Sequence, residues 1–334
     1  MRELILKTEV WPVAGSFNIS RSSLSEITVI TARIRDKQHA GWGECRPYAR
    51  YNETADSVIA QIETVRPAIE SGITIEGLQS LMPAGAARNA IDCALWDLKA
   101  KQTGQSVSQL LKLPPPEKRI TAYTLSIDSP KNMQRAALDA HQYPILKIKI
   151  GSSNGLKSCL AVIDVRPEAE LIIDANEALS PTEIESFRAK LQYFPVIMIE
   201  QPIPAKNFQA IPYSHEGLPI FCADESLHTE NDLEKLWSAG YRAVNIKLDK
   251  CGGLTAGLSL MQSAKSMGFI IMAGCMVGTS LAMAPMMVLE SYADYIDLDG
   301  PLLLEKDRKN GLNYRGPIIT PCLLYTSPSP RDRG

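Results

Sequence analysis

From residue 119 to residue 299 the chain repeats one pattern: a short apolar run, a polar residue at its end, then a stretch with helical spacing. The runs are ITAYTLSI, ILKIKI, ELIIDA, PVIMIE, PIFCAD, AVNIKL, GFIIMA and ADYIDL. Stretches such as PTEIESFRAKLQ and LTAGLSLMQSAKSMG fall between most of them, with apolar residues three and four apart. The polar markers keep step: Lys149, Asp174, Glu200, Asp224 and Lys247 lie 25, 26, 24 and 23 residues apart. One strand and one helix per marker accounts for that interval, and eight strands predict a parallel barrel. An open doubly wound sheet has the same local pattern, so the choice of a barrel rests on the count of eight.

The first 45 residues read as strands. ELILKTEVW and EITVITARIR show β-branched alternation, and the second reaches AGWGEC through the turn-like DKQH. Two helical patterns follow. ETADSVIAQIETVRPAIESG opens on acids and stops at Gly72, and PAGAARNAIDCALWDLKAKQTG spaces Ala90, Ile91, Ala94, Leu95 and Leu98 for one helix, ending at Gly104. LPPPEKR, residues 113–119, is incompatible with a helix and marks the domain boundary. At the far end, CLLYTSPSPRDRG (residues 322–334) departs abruptly from GPIITP and resembles the in-frame translation of a sequencing-library adapter. Those residues are expected to be a non-native tail standing where the true C-terminus was lost.

Composition narrows the classes. With 35 basic and 37 acidic residues the chain is close to neutral, which gives no electrostatic basis for a nucleic-acid or anionic-membrane partner. The opening MRELILKTEVWPV carries Arg2, Glu3, Lys7 and Glu9 and does not read as a signal peptide. No stretch approaches the roughly 18 uncharged apolar residues of a membrane span. Seven cysteines, odd in number and without a CxxC pair, predict reduced thiols in a cytosolic protein rather than disulfides or zinc. The four histidines are dispersed and form no HExxH.

The strand ends carry the chemistry. In LKIKIG, period two puts Lys147 and Lys149 on one face and Leu146, Ile148 and Ile150 on the other. Asp174 with Asn176, then Glu200, then Asp224 with Glu225 follow on three successive strands, at the ends where barrel enzymes place their active sites. A single carboxylate there is also an ordinary helix N-cap. Three in series repel one another unless a cation sits between them. An all-oxygen set suits a hard ion, and Mg²⁺, one per subunit, keeps positions open for water and substrate.

Lys149, from the strand before the first carboxylate, and Lys247, from the strand after the third, flank that ion from opposite sides. Neighbouring cations and partial desolvation are expected to lower a lysine's pKa and make it a base. A metal that binds a substrate carboxylate stabilises the enediolate left when the α-proton departs. One lysine on each face of that planar intermediate describes a racemase or epimerase.

LKIKIG, IIDANE, IEQPIP, CADES and NIKLDKCGGL, in that order and spacing, resemble the muconate-lactonizing subgroup of the enolase superfamily, whose lysine and Mg²⁺ logic is a known pattern of pKa tuning. ARNAIDCALWDLKAK is similar to that family's capping helix. The resemblance covers about residues 1–320. It implies a modified TIM barrel, (β/α)7β, over residues 119–299, under an α+β capping domain formed by residues 1–115 and completed by about 300–321. IDLDGP resembles the Asp-x-Asp of dipeptide epimerases, and period two places Asp297 and Asp299 together as a clamp for a substrate ammonium. GECRPYARYNE, PAGAARNAIDCALWDL and NIKLDK look in particular like the bacterial, cytoplasmic members that interconvert the murein-derived dipeptides L-Ala-L-Glu and L-Ala-D-Glu.

The resemblance assigns roles residue by residue. Lys149 and Lys247 are the acid/base pair, and Asp174, Glu200 and Asp224 hold one Mg²⁺. Lys147 supports the substrate carboxylate and depresses the pKa of Lys149. Arg21, in ISRSS, reaches from the cap to a glutamate carboxylate, and Thr124 and Cys275, the latter in GCMVGT, shape the pocket. The departure is at the end: the family continues past YRGPIIT with a closing strand. The same lysines and carboxylates also serve the lyases muconate cycloisomerase and o-succinylbenzoate synthase, whose substrates carry no ammonium and leave Asp297 and Asp299 unexplained. An epimerase of another dipeptide, a barrel kept as a non-catalytic binding module, and a fragment inactivated by its lost end are the remaining alternatives. A homo-oligomer is compatible with each.

Overall fold

The computed structural model describes residues 2–19, 22–152, 154–211 and 217–321. The expected tail at 322–334 lies outside them. Among the described residues no helix is long and apolar enough to cross a membrane. The N-terminal domain is an antiparallel sheet of β1 (Glu3–Ile19), β2 (Ser22–Asp36) and β3 (His39–Cys45), in that order. Helices α1 (Ala55–Glu70), α2 (Ile75–Leu81), α3 (Ala86–Thr103) and α4 (Val107–Leu111) follow it. A capping box starts α1: Thr54 accepts from the Ser57 amide while Ser57 accepts from the Thr54 amide. Helix α3 lies almost on the backbone of β3. A Cβ on Gly41 would stand 2.0 Å from the Ala94 carbonyl oxygen, and one on Gly43 2.1 Å from that of Ala90. The Gly-x-Gly of the strand and the alanines of the helix are one close-packing device.

The eight apolar runs form the barrel. After β4 (Arg119–Ile120) come β5 (Tyr123–Leu125), β6 (Ile145–Lys149), β7 (Glu170–Asp174), β8 (Val196–Glu200), β9 (Ile220–Ala223), β10 (Ala243–Ile246), β11 (Ile270–Gly274) and β12 (Tyr295–Asp297). These eight are all parallel and lie side by side in sequence order. The ring closes between its two edges: Ala122 N donates to Ile296 O at 2.8 Å, and Leu298 N donates to Thr121 Oγ1 at 3.0 Å. The crossovers carry α5 (Pro130–Asp139), α6 (Gly155–Val165), α7 (Ile184–Ala189), α8 (Leu233–Ala239), α9 (Leu248–Cys251), α10 (Leu254–Ser266) and α11 (Ser280–Met287). Between β8 and β9 the described chain holds only a 3₁₀ turn, Ala205–Ala210, because Pro202 and Pro204 interrupt any helix there.

Alternation sorts the barrel into layers. Leu146, Ile148, Leu171, Ile173, Ile199 and Val244 face the helices in the main core. Ala122, Ile172, Met198, Cys222, Ala243 and Met272 face inward as a separate apolar plug. The next inward residue is polar on every strand but β11, where it is Gly274, so the interior changes from oil to charge within one pleat.

Helix α3 docks the N-terminal domain on the loop after β10. Arg88 donates to Cys251 O (2.6 Å) and Gly252 O (3.0 Å), Asn89 Nδ2 to Asp249 Oδ1 (2.8 Å), and Thr255 Oγ1 to Asp92 Oδ1 (2.7 Å). A Cβ on Gly252 or Gly253 would meet Arg88 or Asp92 at 2.5–2.6 Å, and both glycines have positive φ (87° and 112°). The segment expected to complete the cap divides in two. Residues near 304–308 reach the N-terminal domain through a Val13–Leu304 bridge and Arg308. β13 (Asn313–Arg315) instead pairs with β14 (Ile318–Thr320), which pairs with β4 at the N-terminal end of the barrel.

Arg308 is the cation of a buried cluster. Its Nη2 lies 2.7 Å from Glu44 Oε2 and 3.0 Å from Thr31 Oγ1 and pairs with Glu9, while Nε donates to Thr279 Oγ1 at 2.7 Å. Glu44 is buried, and desolvation pushes its carboxyl above the usual range against the pull of Arg308. Arg308→Ala leaves that carboxylate without its cation and is expected to cost about 3–5 kcal/mol of stability. Urea unfolding checks this as a lower midpoint at unchanged slope, and a midpoint equal to wild type removes Arg308 as the clamp.

Candidate active site

Lys147 and Lys149 point into the barrel mouth, and Leu146 and Ile148 point out, as alternation requires. Register places Lys149 beside Asp174 and Asp174 beside Glu200. Lys149 Nζ donates to Asp174 Oδ2 at 2.5 Å and to Asn176 Oδ1 at 3.1 Å. Lys147 Nζ lies 2.7 Å from Asp297 Oδ2, 2.8 Å from Glu200 Oε2 and 3.2 Å from Asp174 Oδ2. Lys247, on a separate strand end, donates to Asp224 Oδ2 at 2.7 Å. All seven charged groups are buried; Lys149, at 8% exposure, is the most accessible of them.

Polar residues outside the predicted set fix these groups. Asn245, one pleat below Lys247 on β10, donates Nδ2 to Glu200 Oε1 at 2.8 Å. Gly274 makes room for it, since a Cβ there would fall 2.0 Å from Asn245 Oδ1. Lys250 Nζ donates to Asp224 Oδ1 and Asp224 O, both at 2.6 Å, and to Asn245 O at 3.0 Å. Gln201 takes φ = 33°, in the left-handed region that costs an L-residue about 1–2 kcal/mol. Its side-chain carbonyl accepts from the Asp224 amide (3.0 Å), the Ser226 amide (3.1 Å) and the Ser226 hydroxyl (2.9 Å). The strain after β8 is thus tied to bonds that hold the turn after β9.

Burial and pairing pull the carboxylates apart electrostatically. Desolvation raises all of them. For Asp174 the pull of Lys149 and Lys147 prevails and brings it down to about 2, and Lys247 and Lys250 hold Asp224 well below its usual range. Glu200 goes the other way, to about 7, because desolvation and the Asp174 charge outweigh Lys147. Asp299 also rises to about 7, through desolvation and its neighbour Asp297. The sequence reading expects depressed lysines; here Lys147 and Lys247 are raised, because desolvation is outweighed by the carboxylates they touch. Alternation shows that lysines share an interior with acids. It does not show that each ammonium rests directly on one.

Among the described residues no three His, Cys, Asp or Glu side chains converge as a ready-made metal cage. Lys147 stands between Asp174 and Glu200, and two lysines occupy the oxygens of Asp224. The donor set still fits a hard cation. Asp174, Glu200 and Asp224 offer only oxygens, and the buried Glu200 Oε2 receives no directed hydrogen bond, its contact with Lys147 being an ion pair alone.

Thr124, Cys275, Asp297 and Asp299 line the same cavity as the lysines. Asp299 Oδ2 accepts the Thr124 amide at 2.6 Å, so the Thr124 backbone orients it. Arg21 lies outside the described residues. Arg46, Tyr48 and Tyr51 come down from the N-terminal domain to the cavity and were not anticipated. Lys250 was within reach of the sequence: three residues after Lys247, it sits one helical turn on. Asn245 precedes Lys247 by two, on the same face of the strand.

Two family models match the chain. "Mandelate racemase / muconate lactonizing enzyme, N-terminal domain" covers residues 1–112, and "Enolase C-terminal domain-like" covers residues 131–311. The L-Ala-D/L-Glu epimerase of Escherichia coli (strain K12) is 41% identical over 316 residues, spanning 94% of this chain and 98% of that protein. An N-acetyl-D-glutamate racemase from a Pseudoalteromonas species is 43% identical over 295 residues, spanning 88% of this chain and 93% of that one. A crystal structure of an Agrobacterium tumefaciens enolase family member with homology to dipeptide epimerases, bound to sodium and L-Ala-L-Glu, superposes with a TM-score of 0.92. It is 42% identical and covers 96% of this chain and 98% of that chain. Epimerases and racemases are isomerases, and these relatives place the chain in that enzyme class. With both domain models matched and relatives aligned end to end, the chain belongs to the enolase superfamily, in its mandelate racemase and muconate lactonizing branch.

Proposed function

We propose that the protein is a dipeptide epimerase that interconverts L-Ala-L-Glu and L-Ala-D-Glu, murein-derived dipeptides, by a two-base 1,1-proton transfer. The carrying observation is the pair Lys149 and Lys247, on separate strands of one buried mouth, each bonded to a different proposed cation ligand. Relatives named for this reaction and a structural neighbour bound to L-Ala-L-Glu support the substrate.

Lys149 or Lys247, as the free amine, takes the α-proton, and the C–H electron pair moves into the adjacent carboxylate to give a planar enediolate. The opposite lysine, as an ammonium, returns a proton to the other face, so the two lysines end with exchanged protonation states. Exchange with solvent resets them. Asp174, Glu200 and Asp224 would hold one Mg²⁺, which when bound would supply positive charge for the carboxylate as its negative charge grows. Lys147, fixed between three carboxylates, supports the same substrate group. Asp297 and Asp299 clamp the dipeptide ammonium, which muconate-type lyase substrates lack. Thr124 and Cys275 shape the pocket beside them, and Arg21 takes the glutamate carboxylate. The cysteines among the described residues are all free thiols, which supports a reducing, cytoplasmic setting.

In D₂O with Mg²⁺, either epimer is expected to gain one deuterium at the glutamate α-carbon while the other epimer appears, both followed by proton NMR. Exchange without epimer formation, or none, rejects the two-base assignment. Lys149→Ala and Lys247→Ala should each lower kcat by roughly 10²–10⁴-fold. Each should also block exchange from one epimer only, so a variant that still epimerises removes its lysine from the mechanism. Chelation with EDTA is expected to abolish exchange, and added Mg²⁺ to restore it; activity that survives exhaustive chelation excludes the cation.

A further inference from the structure

Two arginines of the described chain show how a buried guanidinium can be satisfied by backbone carbonyls here. Arg88 donates to three carbonyls, those of Met82, Cys251 and Gly252, at 2.6–3.1 Å. Arg166 donates to the carbonyls of Ala137, Ala140 and Tyr143 at 2.8–3.0 Å and pairs with Glu168. Arg46 is equally withdrawn, at 8% exposure, but among the described residues its guanidinium makes a single hydrogen bond, Nη1 to Val277 O at 3.3 Å. Among the described residues no carboxylate lies within ion-pair distance of it. Its other close neighbour is the Tyr48 ring, 5.8 Å from Cζ to centroid.

That guanidinium lines the cavity that holds Lys147, Lys149, Lys247, Asp297 and Asp299. It is also held in place. Arg46 directly follows β3, and its backbone N–H donates to Asp249 Oδ1 at 3.1 Å, the oxygen that Asn89 also holds. Burying a guanidinium without an anion is costly, and desolvation accordingly lowers the pKa of Arg46. A planar five-donor fork kept short of partners in an enclosed site is prepared to receive a planar oxyanion.

We infer that Arg46 is a specificity determinant that binds the side-chain carboxylate of the residue being epimerised, and so selects substrates with an acidic side chain. This rests on the function proposed above. There the α-carboxylate is taken by the cation site and Lys147, the ammonium by Asp297 and Asp299, and the side-chain carboxylate, with two oxygens to satisfy, by Arg21. Arg46 supplies a further donor for that anion, and the fold fixes its position.

The test compares L-Ala-L-Glu with its neutral isostere L-Ala-L-Gln in wild type, Arg46→Met, Arg46→Lys and Arg21→Met, by kcat/KM for α-proton exchange and by calorimetric binding. Wild type should prefer the glutamate dipeptide, and Arg46→Met should shrink that ratio by roughly 10- to 100-fold, as for a lost hydrogen-bonded charge pair. Arg46→Lys should keep an intermediate ratio. An unchanged ratio in Arg46→Met, equal losses on both dipeptides, a wild type without preference, or a preference abolished by Arg21→Met alone overturns the assignment. If wild type exchanges neither dipeptide, the epimerase reading fails by itself and binding decides. A glutamate preference in binding that Arg46→Met removes still supports Arg46, and its absence or persistence rejects it.

Discussion

Four ammonium groups and four carboxylates are locked together in the barrel mouth, and the remainder of the site is arranged around that lock. Lys147, Lys149, Lys247 and Lys250 lie within ion-pair distance of Asp174, Glu200, Asp224 and Asp297, and the set is formally neutral. Eight ionised groups taken out of water persist only if every one is matched, since an orphan left by removing a partner costs about 3–5 kcal/mol. Lys147 alone serves three acids from three strands. A neutral lock also suits the proposed chemistry. With one lysine as the free-amine base the set carries one negative charge, which a divalent cation and the substrate's α-carboxylate monoanion would together bring to zero, and internal proton transfer leaves that sum unchanged.

Holding eight charges in register is a task for the backbone as much as for the side chains. The apolar plug below, with Ile172, Met198 and Met272, seals the barrel one pleat beneath the charges, so they face the N-terminal domain. Gly274 exists so that Asn245 can reach Glu200, and Gln201 accepts backbone strain so that its side chain can pin the turn bearing Asp224. Lys250 adds a third point on Asp224 through both its carboxylate and its carbonyl. Gln201 and Lys250 each fix a group at the end of the neighbouring strand, and Asn245 reaches past β9 to Glu200 on β8. Placing an acid on one strand therefore constrains what the next strand can carry.

Most of this could be read along the chain, because barrel periodicity is local. Period two assigned Lys147 and Lys149 inward, and a 23–26-residue interval assigned the carboxylates to successive strand ends. What could not be read depends on contacts between distant segments. Arg46 and Asp249 are 203 residues apart, and nothing in GECRPY indicates that its arginine ends beside the seventh strand. The division of the C-terminal segment between Arg308 and the β4 ribbon is of the same kind: short strands with weak patterns take their partners from tertiary structure. The raised pKa values of Lys147 and Lys247 were hidden for a different reason. Spacing gives the company a group keeps, whereas its pKa follows from distances of a few tenths of an ångström.

The two domains therefore divide the work along physical lines. The barrel supplies charges whose positions are dictated by strand register, and these would serve any substrate with an acidic α-proton next to a carboxylate. The N-terminal domain supplies what register cannot: Arg46, Tyr48 and Tyr51, delivered to the mouth from the end of β3 and the turn that follows. Their placement depends on α3 seated against Gly252 and Gly253, where any larger residue would push the domain away. That interface fixes the height of the cap above the lysines, and with it the distance from the reacting carbon to the groups that recognise the rest of the substrate. Under the proposed roles the barrel would supply the reacting groups and the ammonium clamp, and the N-terminal domain the groups that meet the side chain, with the two joined at the loop that carries Lys247, Asp249 and Lys250.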